Sequence, residues 1–98
     1  MALFRRMLGD VLRERRSELG LTLREVSGVA RVSLGYISEI ERGQKEASSE
    51  LLASLCDALE VPLSQVLRDV ADAVAVEEGA LIPIGQLPTS DQVVASAA

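Results

Sequence analysis

Residues 22–43 read TLREVSGVARVSLGYISEIERG, and this stretch decides the fold. Thr22 followed by Glu25 is a capping box, in which the hydroxyl accepts from a first-turn N–H and the carboxylate reaches back to the cap's own N–H. A short helix from Leu23 to Ala30 follows, with Val26 and Ala30 inward. Arg31-Val32-Ser33 leaves room only for a tight turn, and Ser33 suits the cap of the next helix. That helix runs from Leu34 to Arg42, buries Ile37 and Ile40, and stops at Gly43. Two short helices joined in this way form a bihelical unit whose second member can enter a major groove.

Working outward, Phe4 to Leu19 reads as a helix with Leu8, Val11, Leu12 and Leu19 on one face and Gly20 as its stop. Arg16 falls beside that apolar face, where a guanidinium needs a partner. Downstream, Gln44 to Ala47 is a polar connector. Ser48 or Ser49 then caps a fourth helix from Glu50 to Leu59, with Leu51, Leu52, Leu55, Cys56 and Leu59 inward. Val61-Pro62 opens a fifth helix carrying Leu63, Val66, Leu67, Val70 and Val74 as far as about Glu77. The expected architecture is all-α: a five-helix domain over 1–77, with the helix-turn-helix at about 22–43 and the fifth helix at about 62–77. Residues 78–98, rich in Gly, Pro, Ser and Ala without a sustained period, read as a flexible tail. Val66, Leu67, Val70 and Val74 offer more apolar surface than so small a core can cover, which predicts a twofold homodimer through the fifth helix.

The net charge of −5 is unevenly spread. Residues 1–45 carry nine basic and six acidic groups, whereas residues 46–98 carry one basic and nine acidic ones. Because the Debye length is about 8 Å at physiological salt, phosphate attraction is local. A basic N-terminal half can therefore meet DNA while the acidic half faces elsewhere. Histidine is absent and Cys56 is the single cysteine, which argues against a zinc site, an internal disulfide and His-based catalysis. No Gly-rich phosphate loop or nucleophile–base set is present, so no enzyme, metal or cofactor is expected. No stretch reads as a signal peptide or membrane span, and a cytoplasmic protein is expected. Cys56, inside an apolar stripe, reads as a structural thiol.

The run RVSLGYISEIERG (31–43) closely resembles the third-helix signature of the Cro/C1-type (XRE) helix-turn-helix regulators. SSELL (48–52) through ALEVP (58–62) looks like that family's fourth helix and fifth-helix entry. Within the family, TLREVS (22–27), VSLGY (32–36) and QKEASSELL (44–52) are most similar to the actinobacterial Clp-protease gene regulators. The resemblance implies a sequence-specific double-stranded DNA-binding activator of protease and stress genes. It also implies a partly buried ion pair between Arg16 and Glu41, since relatives carry an Arg and a Glu at matching positions. Three positions depart from the wider family: Leu23 and Leu34 replace glutamines, Arg31 replaces a turn glycine, and Ser27 replaces a small alanine.

Helical phase and the resemblance together assign the candidate site. Leu34, Gly35, Ser38, Glu39 and Arg42 are expected to meet base edges of a palindromic operator. Thr22, Leu23, Arg24, Arg31, Ser33, Tyr36, Gln44 and Lys45 are expected at phosphates. Leu23 and Leu34 are expected to pack together. The ending VVASAA (93–98) resembles the nonpolar C-termini that Clp unfoldases engage, so it reads either as a contact for Clp protease or as an inert end. A competing reading on the same fold is an antitoxin-type or bridging protein-interaction module.

Overall fold

Four left-handed residues end four consecutive helices. Gly20 (φ 70°), Arg31 (φ 58°), Gly43 (φ 75°) and Glu60 (φ 54°) each turn the chain out of a helix. Behind each one, the next N–H bonds a carbonyl five residues earlier: Leu21 to Arg16, Val32 to Ser27, Gln44 to Glu39 and Val61 to Cys56, at 2.8–3.2 Å. These are Schellman closures, which satisfy carbonyls that a helix end leaves free. The computed structural model describes residues 2–81, arranged as α1 (Ala2–Glu18), α2 (Leu23–Ala30), α3 (Leu34–Glu41), α4 (Ser49–Ala58) and α5 (Leu63–Leu81). At the N-terminal ends, Thr22 forms the full capping box with Glu25. Ser33 accepts from the Tyr36 N–H and Ser48 from the Leu51 N–H, both at 3.2 Å.

α1 packs along α5 and across α3, while α2 sits against α3 and α4. The core between them is aliphatic: Leu8, Leu12, Val26, Ile37, Ile40, Leu55, Leu59 and Val66 are buried, with Met7 and Cys56 filling in. Burial, and to a lesser degree the charge of Asp57, pushes the Cys56 thiol above its usual pKa. Being buried and protonated, it is a packing group.

Two expectations need correction. α5 does not end near Glu77 but continues to Leu81. Its last turns hold Ala, Val and Glu, which suit a helix; one glycine, Gly79, weakens a helix without stopping it, and the first proline beyond is Pro83. Val66 and Val70, expected at a dimer interface, are 1% and 3% exposed within one chain, because α1 packs over that face of α5. Leu67, by contrast, is 45% exposed, and Val74 is half-buried. The VVASAA ending lies outside the described residues.

Candidate nucleic-acid interface

The position of α3 is set from behind by Arg16. Its Nε donates to Glu41 Oε2 at 2.8 Å and its Nη2 to Oε1 at 3.0 Å, a two-pronged pair in which the Glu41 side chain is buried. The third nitrogen, Nη1, donates to the Leu21 carbonyl at 2.9 Å. One side chain thus ties α1, the loop before α2 and the end of α3 together. The hydrogen bond to Glu41 raises the Arg16 pKa further and outweighs the opposing effect of burial. The α2–α3 turn is closed by Ser27, whose hydroxyl donates to the Val32 carbonyl. A serine where relatives hold alanine therefore anchors the turn.

With Ile37 and Ile40 inward, the opposite side of α3 is open. Leu34 is 38% exposed, Gly35 and Arg42 are exposed, and Ser38 and Glu39 are half-buried. A side chain added at Gly35 would meet nothing in the protein, so its small size leaves room on the outer surface. Thr22, Arg24, Arg31, Ser33, Gln44 and Lys45 are all exposed around this face. The hydroxyls of Thr22 and Ser33 already cap their helices. Leu23 is half-buried and packs on the core. Tyr36 differs from expectation: its hydroxyl donates to the Glu46 carbonyl at 2.8 Å, so that proton serves the α3–α4 connector instead of a phosphate.

The cations divide into two groups. Arg6 pairs with Glu77 and Arg16 with Glu41. Arg15 donates to the Leu59 carbonyl at 3.0 Å and the Glu60 carbonyl at 2.9 Å. Among the described residues, Arg24, Arg31, Arg42 and Lys45 have no side-chain hydrogen bond or salt bridge. All four belong to the helix-turn-helix and its following loop.

Sequence reading missed Arg15 and Gly9. Arg15 satisfies the carbonyls at the end of α4, a role carrying no local sequence signal. Gly9 had a signal, since glycine in mid-helix often marks close packing. Here a methyl group would stand 2.5 Å from the Ile40 oxygen.

The comparisons with known proteins agree with this geometry. A helix-turn-helix domain family matches residues 7–71. The transcriptional regulator ClgR of Mycobacterium tuberculosis (strain CDC 1551 / Oshkosh) is 61% identical over 77 residues, covering 79% of this chain and 69% of that protein. The crystal structure of the clp gene regulator ClgR from Corynebacterium glutamicum superposes with a TM-score of 0.75 at 48% identity, covering 79% of this chain and 82% of that one. The restriction-modification controller protein C.AhdI from Aeromonas hydrophila superposes with a TM-score of 0.62 at 26% identity, covering 63% of this chain and 94% of the other. No helix among the described residues is long and apolar enough to cross a membrane. The chain belongs to the helix-turn-helix domain family, as an XRE-like DNA-binding transcriptional regulator and not an enzyme.

Proposed function

We propose that this regulator acts in the cytoplasm as a homodimer on twofold operators and activates Clp protease genes. The observation that carries the DNA contact is the set of four uncommitted cations, Arg24, Arg31, Arg42 and Lys45, around the exposed side of α3. Cations without internal partners are available to replace the counterions of phosphates, the main source of affinity for a duplex. The free N–H groups at the start of α2, at Leu23 and Arg24, add one phosphate contact along the helix dipole. Thr22, Ser33 and Gln44 line the same path.

Base reading falls to Leu34, Gly35, Ser38, Glu39 and Arg42. Leu34 suits a thymine methyl, Glu39 can accept from cytosine N4, and Arg42 can address guanine. The genes concerned are suggested by the relatives, one of which is a clp gene regulator. Dimerisation falls to the exposed apolar side of α5, at Leu67, Val74 and Val76. The test is a gel shift and salt titration on a Clp gene promoter, with a shuffled duplex of equal length. Specific binding at least about a thousandfold tighter than to the shuffled duplex is expected. Equal affinity for both would reject sequence-specific regulation.

A further inference from the structure

The chain carries acidic stripes that the α3 face does not use. Asp10, Glu14 and Glu18 recur every fourth residue on α1, and Asp69 and Asp72 stand on α5 beside it. The two stripes border one open groove of about 390 Å³ between these helices. Its floor is aliphatic, with Val11, Val61 and Ala73 each left half-buried. The cation in the groove, Arg15, is held by the carbonyls of Leu59 and Glu60. Asp10, Glu14, Asp69 and Asp72 have no salt bridge among the described residues. No residue of α2 or α3 lines the groove.

Charge and shape together select the occupant. Like charges four residues apart destabilise a helix, so the α1 stripe opposes folding until a counter-charge arrives. The described residues contain no group of three carboxylates able to hold a metal ion, which makes the complement an extended cationic surface. The half-buried floor calls for apolar side chains as well. A second copy presenting its own α5 would set carboxylate against carboxylate. From Asp10 to Glu18 the groove runs about 12 Å, roughly two helical turns. We propose that the α1–α5 groove docks a basic amphipathic helix of a second protein, with aliphatic side chains on the floor and Lys or Arg between the acidic stripes.

The test titrates the ¹⁵N-labelled full chain with a helical peptide of alternating Leu and Lys blocks, about 14 residues long, and with a Ser/Lys peptide of equal charge. Backbone shift changes are expected only around residues 10–18 and 61–73. The Ser/Lys peptide is expected to bind more weakly, and D69N/D72N, with an undiminished melting temperature, should weaken the Leu/Lys peptide about fivefold. Shifts scattered over every acidic residue, equal affinity of the two peptides, or unchanged affinity in the double variant would each overturn the proposal. So would groove shifts that appear on diluting the free chain, because a second copy would then be the occupant.

Discussion

Gly9 lies so close beneath Ile40 that a methyl group on its α-carbon would stand 2.5 Å from the Ile40 carbonyl oxygen and 2.6 Å from that of Glu41. Both obstacles are backbone, so relief requires α1 and α3 to separate. Alanine gains about 1 kcal/mol over glycine in helix propensity, but overpacking typically costs about 1–3 kcal/mol. Gly9→Ala is expected to lose stability on balance, and to weaken DNA binding as α3 shifts. Gly28, exposed on α2 with open space where a side chain would go, is the contrast. Gly28→Ala should gain roughly 0.5–1 kcal/mol. Urea unfolding of both variants checks this; a Gly9→Ala chain as stable as Gly28→Ala would show that the helices slide apart freely.

Arg16→Ala leaves the buried Glu41 carboxylate and the Leu21 carbonyl without their donor. Breaking a buried pair by removing one partner costs about 3–5 kcal/mol, and partial exposure of Arg16 places the loss near the lower end. Arg13, exposed on α1, has no such partner, and Arg13→Ala should stay within about 0.5 kcal/mol of the parent. Equal melting temperatures for the two variants would contradict a structural role for the pair.

Where a helix end is written in side-chain chemistry, the sequence shows it. Thr22, Ser33 and Gly43 bracket α2 and α3, and the structure starts both helices at Leu23 and Leu34 as expected. α5 lacks such a stop at its far end, and it runs on to Leu81, past the expected end near Glu77. Periodicity reveals an apolar stripe without revealing what covers it. Val66 and Val70 belong to that stripe, but their cover is α1, distant in sequence, so they read as a dimer face when they are core. The same limit hid Gly9, whose neighbour is a backbone oxygen of Ile40, far along the chain. For the DNA face the phase of Ile37 and Ile40 suffices to sort α3 into two sides. It does not show that Tyr36 gives its proton to Glu46.

Arg31 and Glu60 hold equivalent left-handed positions, at φ 58° and 54°, after α2 and α4. A non-glycine residue there costs on the order of 1 kcal/mol. Either residue changed to glycine is expected to stabilise the fold by up to about 1 kcal/mol, raising the melting temperature by several degrees in a domain of this size. The two should differ on DNA. Arg31→Gly removes a cation proposed at a phosphate, so affinity should fall and the salt slope should shrink by about 0.9, the share of one neutralised phosphate. Glu60→Gly should leave both unchanged. Unaltered salt dependence in Arg31→Gly would remove Arg31 from the phosphate set.

Leu67 and Val76 are 45% and 74% exposed on α5, whereas Val70 is core. Aspartate at Val70 would disrupt the core whether or not the chain dimerises. Leu67→Asp with Val76→Asp alters the surface alone. It should yield a folded monomer with weakened binding to a twofold operator but little change on a single half-site. An unchanged mass by light scattering would place the dimer contact elsewhere.

Glu39 and Lys45 should separate base reading from phosphate attraction. Glu39 is half-buried on α3, one turn after Gly35, while Lys45 is exposed in the loop beyond the helix. A carboxylate in the major groove accepts from cytosine N4 and repels phosphate, so its net contribution is discrimination more than affinity. An ammonium beside the backbone attracts any duplex. Glu39→Ala should therefore relax preference at one base pair per half-site, where a specific contact is worth about 1–3 kcal/mol. Its affinity for nonspecific duplex should hold or rise slightly. Lys45→Ala should weaken all sequences alike and reduce the salt slope by about 0.9. Selection from a random duplex library with each purified variant reads both effects at once. If Glu39→Ala selects the same motif as the parent, Glu39 makes no base contact, and the reading must come from Leu34, Ser38 and Arg42 alone.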